Sequence, residues 1–151
     1  MKRILIVYHS QGGTTESMAR ALHRGALSIH HTEVVLKRAS EATAEDLLAC
    51  DGIALGTPEY FGYMAGMMKD FFDRTFYSVQ GKVFRKPFVV FISAGNDGTG
   101  ALNSIERISK GYRFKTVHDP VIVRGGVTKT DLARCEELGA VLAAGLDLGI
   151  Y

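Results

Sequence analysis

Residues Ile4-Leu5-Ile6-Val7-Tyr8-His9-Ser10-Gln11-Gly12-Gly13-Thr14-Thr15-Glu16 decide the architecture. Ile4 to Tyr8 is a short unbroken apolar run, the pattern of a strand buried on both faces in the middle of a parallel sheet. The chain then turns polar and glycine-rich. It next enters a helix over Thr14 to Leu27, where Met18, Leu22 and Ala26 recur at four-residue spacing on one face.

The same strand–helix alternation runs outward from this unit. Glu33 to Ala39 reads as a second strand, more polar and so nearer an edge, and Ala44 to Cys50 as a short helix. Gly52 to Gly56 is a third strand. Met64, Met67, Met68, Phe71, Phe72 and Thr75 fall at i, i+3, i+4, i+7, i+8 and i+11, an amphipathic helix. Phe88 to Ile92 is a second central apolar strand, and Leu102, Ile105 and Ile108 mark the helix after it. Phe114 to Arg124 reads as a strand interrupted at Asp119-Pro120; proline cannot donate to a ladder, so this strand lies at an edge or contains a break. A last helix is predicted from Lys129 to Leu148. Five βα units in series predict an open parallel sheet covered by helices on both faces, with right-handed crossovers, as one domain over residues 1–151. A closed eight-fold barrel needs about 250 residues and is excluded.

Composition bounds the function. The 151 residues are 46% hydrophobic and 23% charged, which excludes a disordered chain. No apolar run approaches the ~18 residues of a membrane helix, and the N-terminal run turns polar too early for a signal peptide. The net charge is +2, with no run of five like charges, so no nucleic-acid footprint is present. Cys50 and Cys135 have no metal-type spacing and read as buried reduced thiols, which points to the cytoplasm and to no metal site.

In open α/β sheets ligands bind beyond the C-terminal ends of the strands, where the strand order reverses. Three such ends carry unusual chemistry. After the first strand, Ser10-Gln11-Gly12-Gly13-Thr14-Thr15 offers hydroxyls, turn-forming glycines and the positive end of a helix dipole, an anion site with neutral donors. It matches neither the G-x-x-x-x-G-K-[ST] nor the G-x-G-x-x-G nucleotide loop. The bland alternative is a strand-to-helix turn with a threonine cap. After the third strand, Pro58-Glu59-Tyr60-Phe61-Gly62-Tyr63 places three aromatics within four residues, suited to a flat apolar ligand. After the fourth, Ser93-Ala94-Gly95-Asn96-Asp97-Gly98 offers backbone polar groups that can approach a ring edge. Together the three ends imply a phosphorylated flat heterocycle, and FMN fits. His9, His23 and His118 read as structural, and no residue stands out as a protein acid or base.

These loops resemble those of the flavodoxin-like FMN proteins, whose [ST]-x-x-G-x-T pattern is matched at Ser10, Gly13 and Thr15. The stretch Gly56 to Thr75, with its P-x-x-F-G-x-M-x-G-x-M-K-x-F-x-D-R core, is similar to that of the WrbA-type NAD(P)H:quinone oxidoreductases. The chain lacks the insertion those enzymes carry around the fifth strand. The resemblance implies a three-layer αβα sandwich with a five-stranded parallel sheet in the order 2-1-3-4-5. It implies that Ser10, Gln11, Gly12, Gly13, Thr14 and Thr15 hold the FMN phosphate. Pro58, Glu59, Tyr60, Phe61 and Gly62 would line the dimethylbenzene side and the N5/O4 edge. Ser93, Ala94 and Gly95, with Asn96 and Gly98, would meet the pyrimidine edge. It further implies an oxidoreductase in which NADH or NADPH passes hydride to flavin N5 and a quinone-like acceptor is reduced. The alternative is an electron carrier serving a redox protein partner. Such carriers are strongly acidic, whereas this chain has 18 basic and 16 acidic residues. The resemblance also admits a homodimer. A response regulator is set aside because His9-Ser10 and Thr57-Pro58 stand where its acidic residues belong, and a small tyrosine phosphatase because the first loop has no cysteine.

Overall fold

A computed structural model describes all 151 residues, Met1–Tyr151. The elements are β1 (Lys2–Tyr8), α1 (Thr14–Leu27), β2 (Thr32–Arg38), α2 (Ala44–Ala49), β3 (Gly52–Tyr60), β4 (Tyr63–Met64), α3 (Gly66–Val79), β5 (Pro87–Ala94), α4 (Thr99–Tyr112), β6 (Lys115–Thr116), β7 (Val121–Arg124) and α5 (Lys129–Asp147). The sheet order is β2-β1-β3-β5, with β6 and β7 both on the outer edge of β5. Leaving aside the two-residue β4, this is the expected 2-1-3-4-5 order, all parallel.

The pleat sends successive residues of each central strand to opposite faces. On β1, Ile4, Ile6 and Tyr8 join one core with Met18 and Leu22 of α1 and Leu138 and Leu142 of α5. Leu5 and Val7 join the other, with Phe71 and Phe72 of α3 and Ile105 of α4. This is why the run Ile4–Tyr8 has no polar residue. Strand β2 has a single neighbour, and its residues are all half-buried, as its polar sequence requires.

Three expectations change in detail. The third strand does not stop at Gly56. Its partner β1 ends at Tyr8 opposite Gly56, but on the other side Thr57 and Pro58 keep pairing with Ile92 and Ser93. Pro58 is tolerated because it lies where one edge of β3 has already become free. Met64 does not open the following helix. It sits in β4, paired with Glu59, and α3 begins at Gly66. The interrupted strand Phe114–Arg124 is two strands: β6 pairs with Pro87 and Phe88, and β7 with Phe91 to Ala94, so both the edge position and the break are real.

Helices α1 and α5 pack backbone against backbone. A Cβ on Gly25 would collide with the Glu136 carbonyl, and one on Gly139 with the Leu22 carbonyl. Both cysteines are buried and free, and burial pushes each thiol up to about 11. No helix is long and apolar enough to cross a membrane.

The close approach has a testable sign. Helix propensity alone favours Gly→Ala by up to about 1 kcal/mol. Gly25→Ala should instead destabilise by about 1–3 kcal/mol, because a backbone carbonyl cannot give way. Gly111→Ala in α4, where a Cβ meets only Phe76 at 3.9 Å, should be neutral or stabilising. Urea unfolding of the two variants checks both signs.

Candidate functional site

The parallel strands end on one edge, and four loops gather there. The first follows β1. Ser10 Oγ accepts a hydrogen bond from Gly13 N at 3.1 Å and folds the loop back on itself. Gly13, at φ 100°, is the N-cap of α1, and no side chain accepts from the helix's first N–H groups. The threonine cap of an ordinary turn is therefore absent, and the positive end of α1 is left open to an anion. Thr15 faces inward instead: its hydroxyl lies 2.7 Å from Ser93 Oγ, both buried, and ties the first loop to the end of β5.

The nearest cation is already engaged. Arg38, at the end of β2, donates to Glu16 Oε1 at 2.6 Å and to the Ser10 carbonyl at 3.3 Å, and its guanidinium lies 5.2 Å from the Tyr8 ring centre. Glu16 also pairs with Arg20 at 3.0 Å. The donors left for an anion at this loop are neutral, as its sequence indicated.

The second loop is a hairpin rather than an irregular segment. Tyr60 pairs with Tyr63 across a two-residue turn in which Phe61 and Gly62 both have positive φ, 53° and 70°. That backbone suits glycine and costs a phenylalanine of order 1 kcal/mol or more. The hairpin is bolted to α4. Glu59 Oε2 accepts from Ala101 N at 3.1 Å, and Ser104 Oγ accepts from Met64 N at 3.1 Å. A Cβ on Gly100 would strike the Gly62 carbonyl. Tyr60 turns the other way and donates its hydroxyl to Gln11 Oε1 at 3.1 Å, with its ring edge-on to His9.

The third loop follows β5. Asp97 accepts from Thr99 N at 3.0 Å, and Arg124 Nε donates to the Asp97 carbonyl at 3.1 Å. The hydrogen bonds to Thr99 and the charge of Arg124 hold the Asp97 carboxyl below its ordinary range. The fourth loop, after β7, was missed by sequence reasoning. Gly125 N donates to the Ala94 carbonyl at 2.8 Å and lines the same space. The Gly125-Gly126 pair just past the Val121–Arg124 strand was the available signal.

Between the loops lies a hollow of about 260 Å³. Ser10, Gln11, Gly12, Thr14 and Thr15 line one end; Pro58, Glu59 and Tyr60 one wall; Ser93, Ala94, Gly95 and Gly125 the rest. Gly13, Phe61, Gly62, Asn96 and Gly98 belong to the same loops but do not line it, and Phe61 is fully exposed. Gly12 and Gly95 have neither a left-handed φ nor any protein atom within 4 Å of a would-be Cβ. Nothing in the folded chain itself requires glycine at either place. His118 lies away from the hollow, beside Arg134 and Glu137.

His9 is half-buried, and burial first and the Arg38 charge second lower its pKa from 6.5. Burial and then the charges of Arg20 and Arg24 lower that of His23 in the same direction. The folded state thus binds fewer protons than the unfolded chain between the lowered values and 6.5. Stability is full above that window and falls as pH drops through it. Thermal melts from about pH 7 to about pH 5 should show the decline, and the His9→Gln, His23→Gln double variant should flatten it.

The profile of the NADPH-dependent FMN reductase family matches residues 3–126. A protein named flavodoxin from Aquifex aeolicus (strain VF5) is 39% identical over 100 residues, 66% of this chain and 54% of that protein. The match thus spans about half the length of that relative. Among solved structures, a flavodoxin from the domain Archaea superposes with a TM-score of 0.85 at 25% identity, covering 96% of this chain and 99% of its own. A WrbA-like flavodoxin from Agrobacterium tumefaciens shares the fold, with a TM-score of 0.81 at 21% identity over 98% of this chain and 99% of its own. With its profile matched along most of its length and the parallel sheet in the same order, the chain belongs to the NADPH-dependent FMN reductase family and is a flavodoxin-like, FMN-binding protein.

Proposed function

We propose that the chain is a flavodoxin-type electron-transfer protein that carries FMN in the hollow between its four strand-end loops. The observation that carries the placement of FMN is the pairing of an uncapped helix N-terminus with open-sided glycine backbone in one hollow. FMN supplies the exchange of electrons; the protein binds it, orients it and tunes it. Ser10 to Thr15, with the first N–H groups of α1, receive the phosphate through neutral donors. Pro58, Glu59 and Tyr60 wall the ring, with Tyr60 fixed by its hydrogen bond to Gln11. Ser93, Ala94, Gly95 and Gly125 present backbone to the polar ring edge. The free side of Gly12 and Gly95 is where the ligand approaches. The residues present fit FMN on this count, because the donor set is neutral and a side chain at either glycine would occupy the ligand's space.

The carrier reading is supported by the relatives named flavodoxin at 39% and 25% identity. A second reading, an NAD(P)H-dependent quinone oxidoreductase, is favoured by the Gly56–Thr75 stretch and by the absence of an acidic excess, 18 basic against 16 acidic residues. FMN-loaded protein separates the two. A carrier oxidises NADH or NADPH slowly with benzoquinone unless a separate reductase is added, whereas an enzyme turns over alone.

The site assignment has its own test. Gly12→Val and Gly95→Val should leave the melting temperature of the flavin-free protein nearly unchanged. Each should weaken FMN binding at least tenfold, a loss of about 1.4 kcal/mol, by fluorescence titration. Unchanged FMN affinity in both variants would remove the hollow as the flavin site.

A further inference from the structure

The chain's largest cavity lies away from the strand ends, in a groove of about 680 Å³ between α3 and α4. Its floor is Phe72, Phe76 and Tyr112, and its rim carries Tyr63, Tyr77 and Arg107. The Tyr112 hydroxyl is satisfied internally, bonded to the Phe72 carbonyl at 2.5 Å and to Thr75 Oγ1 at 2.8 Å, so the floor asks for no polar partner. Beyond Gly111 and Tyr112 the groove runs into a second hollow of about 530 Å³ beside Phe84 and Arg113.

Two features of this face are unusual together. The exposed aromatic side chains of the chain are Phe61, Tyr63, Tyr77 and Phe84, and all four lie on the hairpin tip or along this groove. The charge on the face is also one-sided. Asp73 is neutralised by Lys69 at 2.8 Å, and Asp70 by Arg74 at 2.6 Å. Arg107 and Arg113, which line the two hollows, form no ion pair, and the Arg113 guanidinium lies 5.9 Å from the Phe84 ring centre. Glu106 lines neither hollow. Aromatic residues and arginine are the side chains enriched at protein interfaces, and unpaired cations select an acidic partner.

We propose that the α3–α4 groove docks the redox partner protein, and that this partner presents an acidic segment carrying apolar side chains. The inference rests on the carrier reading above. The groove is joined to the flavin hollow by one element: the β3–β4 hairpin puts Tyr60 on the hollow and Tyr63 on the groove. A segment seated against Tyr63 therefore lies beside the wall of the electron-transfer site. Phe61, held out at the tip by a left-handed backbone, extends the contact surface. The near-neutral charge of the chain then has a use, since a strongly acidic surface would repel such a partner.

The test uses FMN-loaded protein and a short synthetic peptide alternating glutamate and phenylalanine, with lysine-for-glutamate and alanine-for-phenylalanine controls. Amide chemical-shift titration should place the first peptide on α3, α4 and Tyr63, with an affinity that falls as salt rises. Both controls should bind at least tenfold more weakly. Arg107→Glu with Arg113→Glu should cost at least tenfold in peptide affinity while FMN stays bound. Equal binding of the lysine peptide, shifts on the α1–α5 face, or indifference to the double charge reversal would overturn the proposal. So would sedimentation showing a dimer that Tyr77→Glu dissociates, since a second copy would then fill the groove. If the peptide binds as expected but the reduced protein fails to pass electrons to one-electron acceptors, the carrier reading falls while the acidic-segment site stands.

Discussion

All five long strands run the same way, and the rest of the structure depends on that constraint. Parallel neighbours cannot be joined by a tight turn, so each connection crosses back over the sheet as a helix. The helices bury both faces, which keeps the middle of each central strand apolar and leaves polar residues such as Thr57 and Ser93 to the C-terminal ends. Every strand must also finish on the same edge. There the ladder ends while the backbone still carries polar groups, and four loops meet without any long-range signal in the sequence.

How those loops hold together shows which interactions matter. The buried pair Thr15–Ser93 is worth more than its single hydrogen bond, because losing either hydroxyl leaves the other unpaired in the interior, at a cost of about 1–3 kcal/mol. The ion pairs around the first loop are partly exposed and contribute less to stability. Their effect is to consume charge: Arg38 and Glu16 neutralise each other beside the first loop, and the helix N-terminus is left as the main electrostatic feature there. The hairpin works as a joint between two environments. One side chain, Tyr60, is tied to the first loop, and the neighbouring backbone is clamped to α4 through Glu59 and Ser104.

The sequence was most legible where local chemistry and burial agree. The run Ile4–Tyr8 is a strand because it is buried on both faces, and the helix periodicity of Met67 to Thr75 survives because one stripe meets the core. It was least legible where pairing is decided by a distant neighbour. Pro58 looks like a loop residue, yet it continues β3, because β1 has already ended and β5 has not. Met64 fits the helical spacing, yet it pairs with Glu59, because the turn at Phe61–Gly62 folds it back. Gly125 passed unnoticed because the Gly125-Gly126 pair marks a turn but not the strand beside which that turn comes to rest.

By itself the sequence determined the layer architecture, the strand order through the family resemblance, and the loops that carry polar and aromatic groups. Burial pattern and turn chemistry are local, and they survive without coordinates. Only the tertiary structure decided which members of those loops face one another: Thr15 toward Ser93, Tyr60 toward Gln11, Phe61 outward into solvent. It alone revealed the groove between α3 and α4, whose residues are scattered from Tyr63 to Arg113. The physical reason is the same in each case: a cavity or a long-range hydrogen bond is a property of how helices seat on the sheet, and that seating is set by packing between segments far apart in the chain.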